Sequence, residues 1–461
     1  MKQIVIKKDN TSNDFLYEQL YLEIKGQIMD GDMVQSEKCP SIRKLANDLN
    51  ISVTTVMQAY NQLLAEGYIK NKPGSGYYVE AISAPSDIDE SLDDDNEFLL
   101  DYSDIESEYI YDAEAFDFSR WKKCAAKIYS EYSPSLLFGA DTKGEYVLRT
   151  EIAKYLFRSR GVKANPDNII IAAGTQQSIF HLGRILKKTG IQLISMEKPG
   201  YAPVKAMFSD AGFGTADIKV NENGIDISAL PINIASAVYV NPSNQFPTGV
   251  VMPAAKRYEI LEWAKENNSY VIEDDYNSEL RYFGKPMPTI KSLDKTDRVI
   301  YLGSFSSTLF SAIKISYMVL PENLTKLFDV IKHNYSQTCS KAEQLTLAYY
   351  MSMGYYYTSI RKKRALFTKK LNVVENVFEK CGYKEFELVN TNSGLFVTIK
   401  IKTEKEAEKY IEESRRQKVY TVYLDEISTE EYKCIALYYS LLPLNSIEVI
   451  LNILLNKWRT I

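Results

Sequence analysis

Apolar and polar positions alternate with a clear helical rhythm at the start of the chain. In residues 14–30, apolar side chains fall at Phe15, Leu16, Leu20, Ile24 and Ile28, the spacing of one helix face. A second helix is predicted over 41–49, with Ser41 as N-cap and Ile42, Leu45, Ala46 and Leu49 turned inward. Asn50 and Ile51 make a short turn, and Ser52 caps a third helix running to Glu66. Gly67 stands where a left-handed residue closes a helix. Residues 68–70 and 77–79 then read as two strands around Lys72-Pro73-Gly74-Ser75-Gly76, a hairpin with glycine in its turn. Two short helices joined by a tight turn and followed by such a hairpin form a helix-turn-helix with a wing.

The pattern changes abruptly over 81–119, which holds fourteen Asp/Glu and no Lys or Arg. Its first half has few apolar residues, so a solvated, extended tether is expected there; competition with DNA for the winged helix is the alternative. Its second half carries aromatics able to dock on a core. Beyond 120, short apolar runs at 169–172, 191–196, 237–240, 271–273 and 315–320 alternate with helical stretches, notably 178–187. That rhythm predicts an α/β domain with a mostly parallel sheet, helices on both faces and loops gathered at the carboxyl edge. The expected organisation is a winged helix over 1–80, an acidic linker over 81–100 and a large domain over 101–461.

Composition narrows the classes. Among 461 residues, 45% are apolar and 25% charged, as in globular proteins. No run approaches the roughly 18 apolar residues that span a bilayer, so no membrane partner is expected. The N-terminus, MKQIVIKKDN, lacks a signal-peptide core, and a cytoplasmic location is expected. The five cysteines are scattered without CxxC spacing, which favours free thiols and argues against zinc. With only two histidines, metal and triad chemistry has little material, and no metal site is assigned. The net charge of −5 does not advertise nucleic acid, and residues 1–80 hold nine Lys/Arg against ten Asp/Glu. Any DNA surface must therefore be local.

Two stretches carry candidate chemistry. In YLGSFSSTLFSAIKISYMVLP (301–321), a strand-like run leads through Ser304, Ser306, Ser307 and Thr308 to Lys314 and a second apolar strand. Hydroxyl donors and a cation suit a phosphate, although such loops are often simple turns. Gly174-Thr175-Gln176-Gln177 follows a buried run and opens a helix, where free N–H groups and the helix dipole favour an anion.

Residues 301–321 resemble the lysine segment of fold-type I pyridoxal-phosphate enzymes, and more closely that of the MocR/GabR-type regulators. These fuse a GntR-like winged helix to an aminotransferase-like domain. Residues 39–79 are similar to the GntR winged helix almost end to end. The resemblance implies DNA contacts from Ser41, Arg43, Lys44, Ser52, Thr54 and Thr55, with Lys72, Gly74 and Gly76 on a wing reaching the minor groove. Arg43 would supply a bidentate fork, and Lys44, Lys70 and Lys72 would share its face. Val53 stands where the family usually has arginine. A winged helix used only for protein contacts is the rival reading.

In the large domain the resemblance implies a pyridoxal-phosphate site. Gly174, Thr175, Gln176, Ser304, Ser306 and Lys314 would hold the phosphate, and Tyr201, in Glu197-Lys-Pro-Gly-Tyr201, would stack on the ring. Asn241 and Tyr276 would flank the 3-hydroxyl, and Asp274 would face the pyridine nitrogen. Residues from about 351, with a helix over 355–380 and a strand over 394–401, resemble the small α+β C-terminal subdomain. Three departures stand out. Ser307 occupies the Schiff-base lysine position and cannot form an imine, Lys314 replaces the phosphate arginine, and CIALYYSLL (434–442) lacks the late arginine that clamps a substrate carboxylate. No catalytic residue is assigned. The expectation is a homodimeric transcriptional regulator that binds double-stranded DNA. It would sense a small effector, pyridoxal phosphate or its amino-acid adduct, bound without a covalent link. The alternatives are a working transaminase with an appended domain and a cofactor-free interaction protein.

Overall fold

In the computed structural model, residues 16–80, 109–280, 287–391 and 394–461 are described; the predicted acidic linker, 81–100, lies outside them. The chain forms two compact units, divided after Leu100.

The first unit contains helices Leu16–Met29, Ile42–Leu49 and Val53–Ala65, then strands β1 (Ile69–Lys72) and β2 (Gly76–Val79). Leu20, Ile24, Leu45, Val56, Leu63, Ile69 and Val79 are buried together, so the inward spacing of the helices becomes one small core. Ser41 and Ser52 cap their helices, each accepting a backbone N–H from three residues on. Gly67 has φ +78°, the left-handed residue expected after the third helix. β1 and β2 pair antiparallel, Ile69 against Val79 and Lys72 against Gly76.

The second unit contains β3 (Ile169–Ala172), β4 (Leu193–Lys198), β5 (Gly214–Asn221), β6 (Gly224–Ile225), β7 (Ala237–Val240), β8 (Tyr270–Asp274), β9 (Val299–Ser304) and β10 (Ser316–Val319) in one sheet, ordered β3-β10-β9-β8-β7-β4-β5-β6. β9, β8, β7, β4 and β5 run parallel, as the βαβ rhythm predicts. β10 runs antiparallel between β3 and β9, with Ser316 opposite both Ala172 and Ser304. Both faces are covered. Tyr301, Tyr317, Ile169 and Ile171 pack under helices Phe118–Glu131, Tyr146–Arg160 and Lys341–Ser352. On the opposite face Ile170, Ile300, Leu302 and Met318 pack under Gly174–Lys188, Ala202–Asp210 and Glu322–Ile331.

Helix Tyr355–Cys381, bounded by left-handed Gly354 and Gly382, leads from this layer into a smaller antiparallel sheet. That sheet holds β11 (Phe386–Val389), β12 (Val397–Lys402), β13 (Thr421–Tyr423) and β14 (Tyr432–Leu437) in the order β11-β12-β14-β13. Helices Ala407–Arg416 and Ile447–Arg459 close its core around Ile399, Ile435, Leu451 and Trp458. From residue 109 on, the acidic stretch docks: Ile110 N–H donates to Lys418 O at 2.7 Å, Asp112 pairs with the buried Lys370 at 2.8 Å, and Phe116 enters the core.

Candidate DNA face and ligand site

In the winged helix, Arg43, Lys44, Ser52 and Thr54 are exposed at the N-terminal ends of two consecutive helices. Ser41 Oγ accepts from Lys44 N at 3.3 Å and Ser52 Oγ from Thr55 N at 3.0 Å, with Thr55 Oγ1 2.8 Å from Ser52 Oγ. Capping thus consumes part of the hydroxyl capacity the sequence offered to phosphate. Lys70 does not join the free cations, because Glu80 pairs with it at 2.7 Å. Lys72 stays available, its amine 4.6 Å from the Tyr78 ring, and the Lys38 amine lies 5.9 Å from the same ring. Lys38 was not singled out in the sequence, since only strand pairing carries it to the wing. Gly74 and Gly76 hold the wing turn at φ +76° and +112°.

In the second unit, the parallel strands bring the candidate residues to one sheet edge. β3 ends at Ala172 and Gly174 opens a fifteen-residue helix, four residues earlier than the predicted 178–187. Gly174, Thr175 and Gln176 are therefore its first turn, with N–H groups that no capping side chain takes. β9 ends at Ser304, whose Oγ accepts from Ser306 N at 3.3 Å. Lys314, left-handed at φ +46° and exposed, enters β10, so it reaches the same edge through the antiparallel strand. β8 ends at Asp274, β7 leads to Asn241, and β4 leads through Glu197 to Tyr201. β10 lies two strands from β8, roughly 10 Å across the sheet at about 4.8 Å per strand.

Electrostatics separate two ends of this edge. Asp274 accepts from the Tyr239 hydroxyl, and burial pushes its carboxyl up to about 6 despite that bond. Asn241 Nδ2 donates to Asp274 O at 3.2 Å, while Glu197 Oε2 accepts from Asn241 N at 3.0 Å. Tyr201 and Tyr276 are exposed at 43% and 36%, and the field of Asp274 adds to burial in raising both hydroxyls. Behind them a network holds the turn. Arg160 donates to Asp275 Oδ2 at 2.7 Å and Oδ1 at 2.9 Å, and Ser243 and Tyr301 hydroxyls donate to Asp275 at 2.6 Å each. Burial opposes ionisation of Asp275, yet these partners hold it below the usual range. Sequence reading missed Tyr239, Arg160 and Asp275, whose signal lies only in their meeting.

Ser307 sits half-buried in the turn after β9. Its carbonyl accepts from the buried Lys363 amine at 3.1 Å, and Leu309 O accepts from the same amine at 2.7 Å. Lys363 lines a recess of about 210 Å³ with Phe116, Arg120 and Tyr350, beneath helix Phe118–Glu131. Burial, then the Lys370 charge, lowers its amine to about 8. Among the described residues, no three His, Cys, Asp or Glu converge on a metal site, all five cysteines are free, and no helix is long and apolar enough to cross a membrane.

Fold and site together define a winged-helix unit joined to an aminotransferase-type α/β unit. Comparison with known proteins agrees. Residues 106–432 match the aminotransferase class I and II family, and residues 16–79 match the bacterial regulatory proteins of the gntR family. The uncharacterized HTH-type transcriptional regulator YdeL of Bacillus subtilis (strain 168) is 35% identical over 421 residues, covering 89% of each chain. The probable rhizopine catabolism regulatory protein MocR of Rhizobium meliloti is 31% identical over 78% of this chain and 76% of its own. The HTH-type pyridoxine biosynthesis transcriptional regulator PdxR of Corynebacterium glutamicum is 30% identical over 78% of both. Among solved structures, an archaeal alanine:glyoxylate aminotransferase superposes with TM-score 0.68 at 20% identity, over 78% of this chain and 93% of its own. The multiple substrate aminotransferase of Thermococcus profundus gives TM-score 0.64 at 23% identity, over 74% and 88%. At such identities these structures establish the fold alone. The chain belongs to the MocR-type family of transcriptional regulators, DNA-binding proteins with an aminotransferase-like domain.

Proposed function

We propose that the large unit is a sensor that binds pyridoxal phosphate, or a close phosphorylated relative, non-covalently and without turnover, and that occupancy biases DNA binding by a homodimer. One observation carries this reading: the candidate anion donors and Asp274 lie at the ends of neighbouring strands on one sheet edge, while residue 307 is serine. The donor set fits the group. Helix N–H groups at 174–176, the hydroxyls of Ser304 and Ser306 and the charge of Lys314 suit a phosphate. Asp274, a carboxyl that burial has made reluctant to ionise alone, suits a protonated ring nitrogen. When bound, the cofactor would supply an aldehyde and an electron-withdrawing ring. Tyr201 would cover one ring face, and Asn241 and Tyr276 would fix its rotation. Ser307 cannot tether it, and Lys363 is held at the backs of Ser307 and Leu309.

Without an imine, and with lysine in place of a bidentate arginine, micromolar affinity is expected, about −8 kcal/mol. In the winged helix, Arg43, Lys44 and Lys72 with the helix ends at Ser41 and Ser52 would engage the DNA backbone and grooves. A two-fold dimer would then read paired half-sites. The test is calorimetry of the full chain with pyridoxal phosphate, beside Ser307→Lys, and titration of its own upstream DNA with and without ligand. Micromolar binding without a borohydride-fixed adduct, and an adduct only in Ser307→Lys, is the expected result. No uptake at millimolar ligand, or keto acid formed above the free-cofactor background, overturns the reading.

A further inference from the structure

Helix Gly174–Lys188 lines a separate recess of about 800 Å³, closed by the C-terminal ends of helices Ala202–Asp210 and Glu322–Ile331. That volume is in the range of small-molecule sites. Phe180, Arg184 and Lys188 line it from one face of the helix, each four residues from the next. At 1.5 Å per residue they span roughly 12 Å. One end of the recess is aromatic. Phe180 is 39% exposed and meets Tyr335 edge to face at 5.9 Å. His181 packs behind both rings, 5.5 Å from Phe180 and 5.3 Å from Tyr335, so they stand as a supported wall.

The other end is cationic. Arg184 and Lys188 are exposed, and neither pairs with a carboxylate among the described residues. Lys187 is already committed, donating to Gln192 Oε1 at 2.9 Å and to Gly212 O at 2.6 Å, with its amine 4.1 Å from the Phe213 ring. The Arg184 guanidinium lies 5.1 Å from the Phe180 ring centre and so joins the two ends. Asp210 is the one acid in the lining; it is exposed, on the facing helix, and has no ion pair among the described residues. The helix dipole alone favours cations in a last turn, but it explains neither the recess nor the ring wall. A bare anion would use the cations alone, and an apolar ligand the rings alone. A flat ring, sugar hydroxyls and phosphate carried on one molecule use the rings, Asp210 and the cations together.

We propose that this recess is a nucleotide site. The base packs at the Phe180–Tyr335 end, where the planar guanidinium of Arg184 adds a stacking surface. The ribose hydroxyls donate to Asp210, and the phosphates lie against Arg184 and Lys188. None of these residues belongs to the phosphate cup or its ring partners, so a nucleotide and pyridoxal phosphate would be held independently.

The probes are ATP, GTP, adenosine and inorganic triphosphate, each titrated into the full chain by calorimetry at low and high salt. At least one of the two nucleotides is expected to bind about tenfold or more tightly than adenosine and than inorganic triphosphate, and to weaken as salt rises. Phe180→Ala, Arg184→Glu and Lys188→Glu are each expected to weaken it by about tenfold. All three side chains are exposed, so an unchanged urea midpoint is expected and separates lost binding from lost folding. Triphosphate binding as tightly as the nucleotides marks a patch for any polyanion, a DNA backbone included, and overturns the inference. Adenosine binding as tightly, or no heat from either nucleotide at millimolar concentration, overturns it too. Nucleotide binding that is lost in Lys314→Ala and kept in Arg184→Glu belongs to the phosphate cup, which also overturns it.

Discussion

Arg160→Met tests whether the turn beside the site is held by a compensated buried charge. Arg160 and Asp275 have side chains only 4% and 0% exposed, and the guanidinium makes two bonds to the carboxylate and a third to Ser243 Oγ at 3.1 Å. Methionine preserves much of the stem volume and removes all three donors. Asp275 then keeps only the Ser243 and Tyr301 hydroxyls, and breaking a buried pair from one side costs about 3–5 kcal/mol. The sign with pH follows. In the native protein the Asp275 pKa is lowered, so its stabilisation is present above the unfolded carboxylate value and is lost as pH falls through the folded one. In the variant the isolated carboxylate is disfavoured when charged, and its protonation relieves the cost. The deficit should therefore be largest near neutral pH and shrink towards pH 4. Urea unfolding of the large unit, followed from pH 4 to 8, measures it. Arg160→Met/Asp275→Asn should recover most of the loss, because both charges are gone. A neutral-pH deficit below about 1 kcal/mol, or a double variant as unstable as the single one, would refute the uncompensated-charge argument.

Ser52→Ala removes the acceptor for Thr55 N and should cost the winged helix about 1 kcal/mol, read as a lower urea midpoint for that unit. Lys363→Met should flatten one part of the stability–pH curve. The Lys363 amine is lowered to about 8 from the ordinary lysine value of 10.5, so between these values the unfolded chain holds a proton the folded one has lost and stability rises with pH. Denaturant midpoints from pH 7.5 to 10.5 check this, and an unchanged slope in the variant contradicts it. Lys314→Ala should weaken pyridoxal phosphate by about 1.5–3 kcal/mol and reduce the salt dependence of its binding in calorimetry.

The amino-acid sequence by itself determined what is local. The winged helix was legible because its helices carry Leu20, Ile24 and Ile28 on one face, begin at Ser41 and Ser52 and end at Gly67, all within a few residues of the groups they organise. β3 and β7 were legible to the residue, since a strand buried on both faces is a short unbroken apolar run. Only tertiary structure decided which distant groups meet. Strand order places Gly174, Ser304 and Lys314 at adjacent strand ends, and the antiparallel course of β10 leaves no mark on its own hydrophobic pattern. The Arg160–Asp275 pair spans 115 residues, and Lys363 reaches the Ser307 carbonyl across 56. The ring contacts of Phe246 with Phe396 and of Phe396 with Tyr438 join a loop of the large sheet to the small one. In the sequence Arg160, Asp275, Lys363, Phe246, Phe396 and Tyr438 read as ordinary core or surface. Their chemistry depends on the partner across the gap, and chain crossovers set that partner, not local spacing.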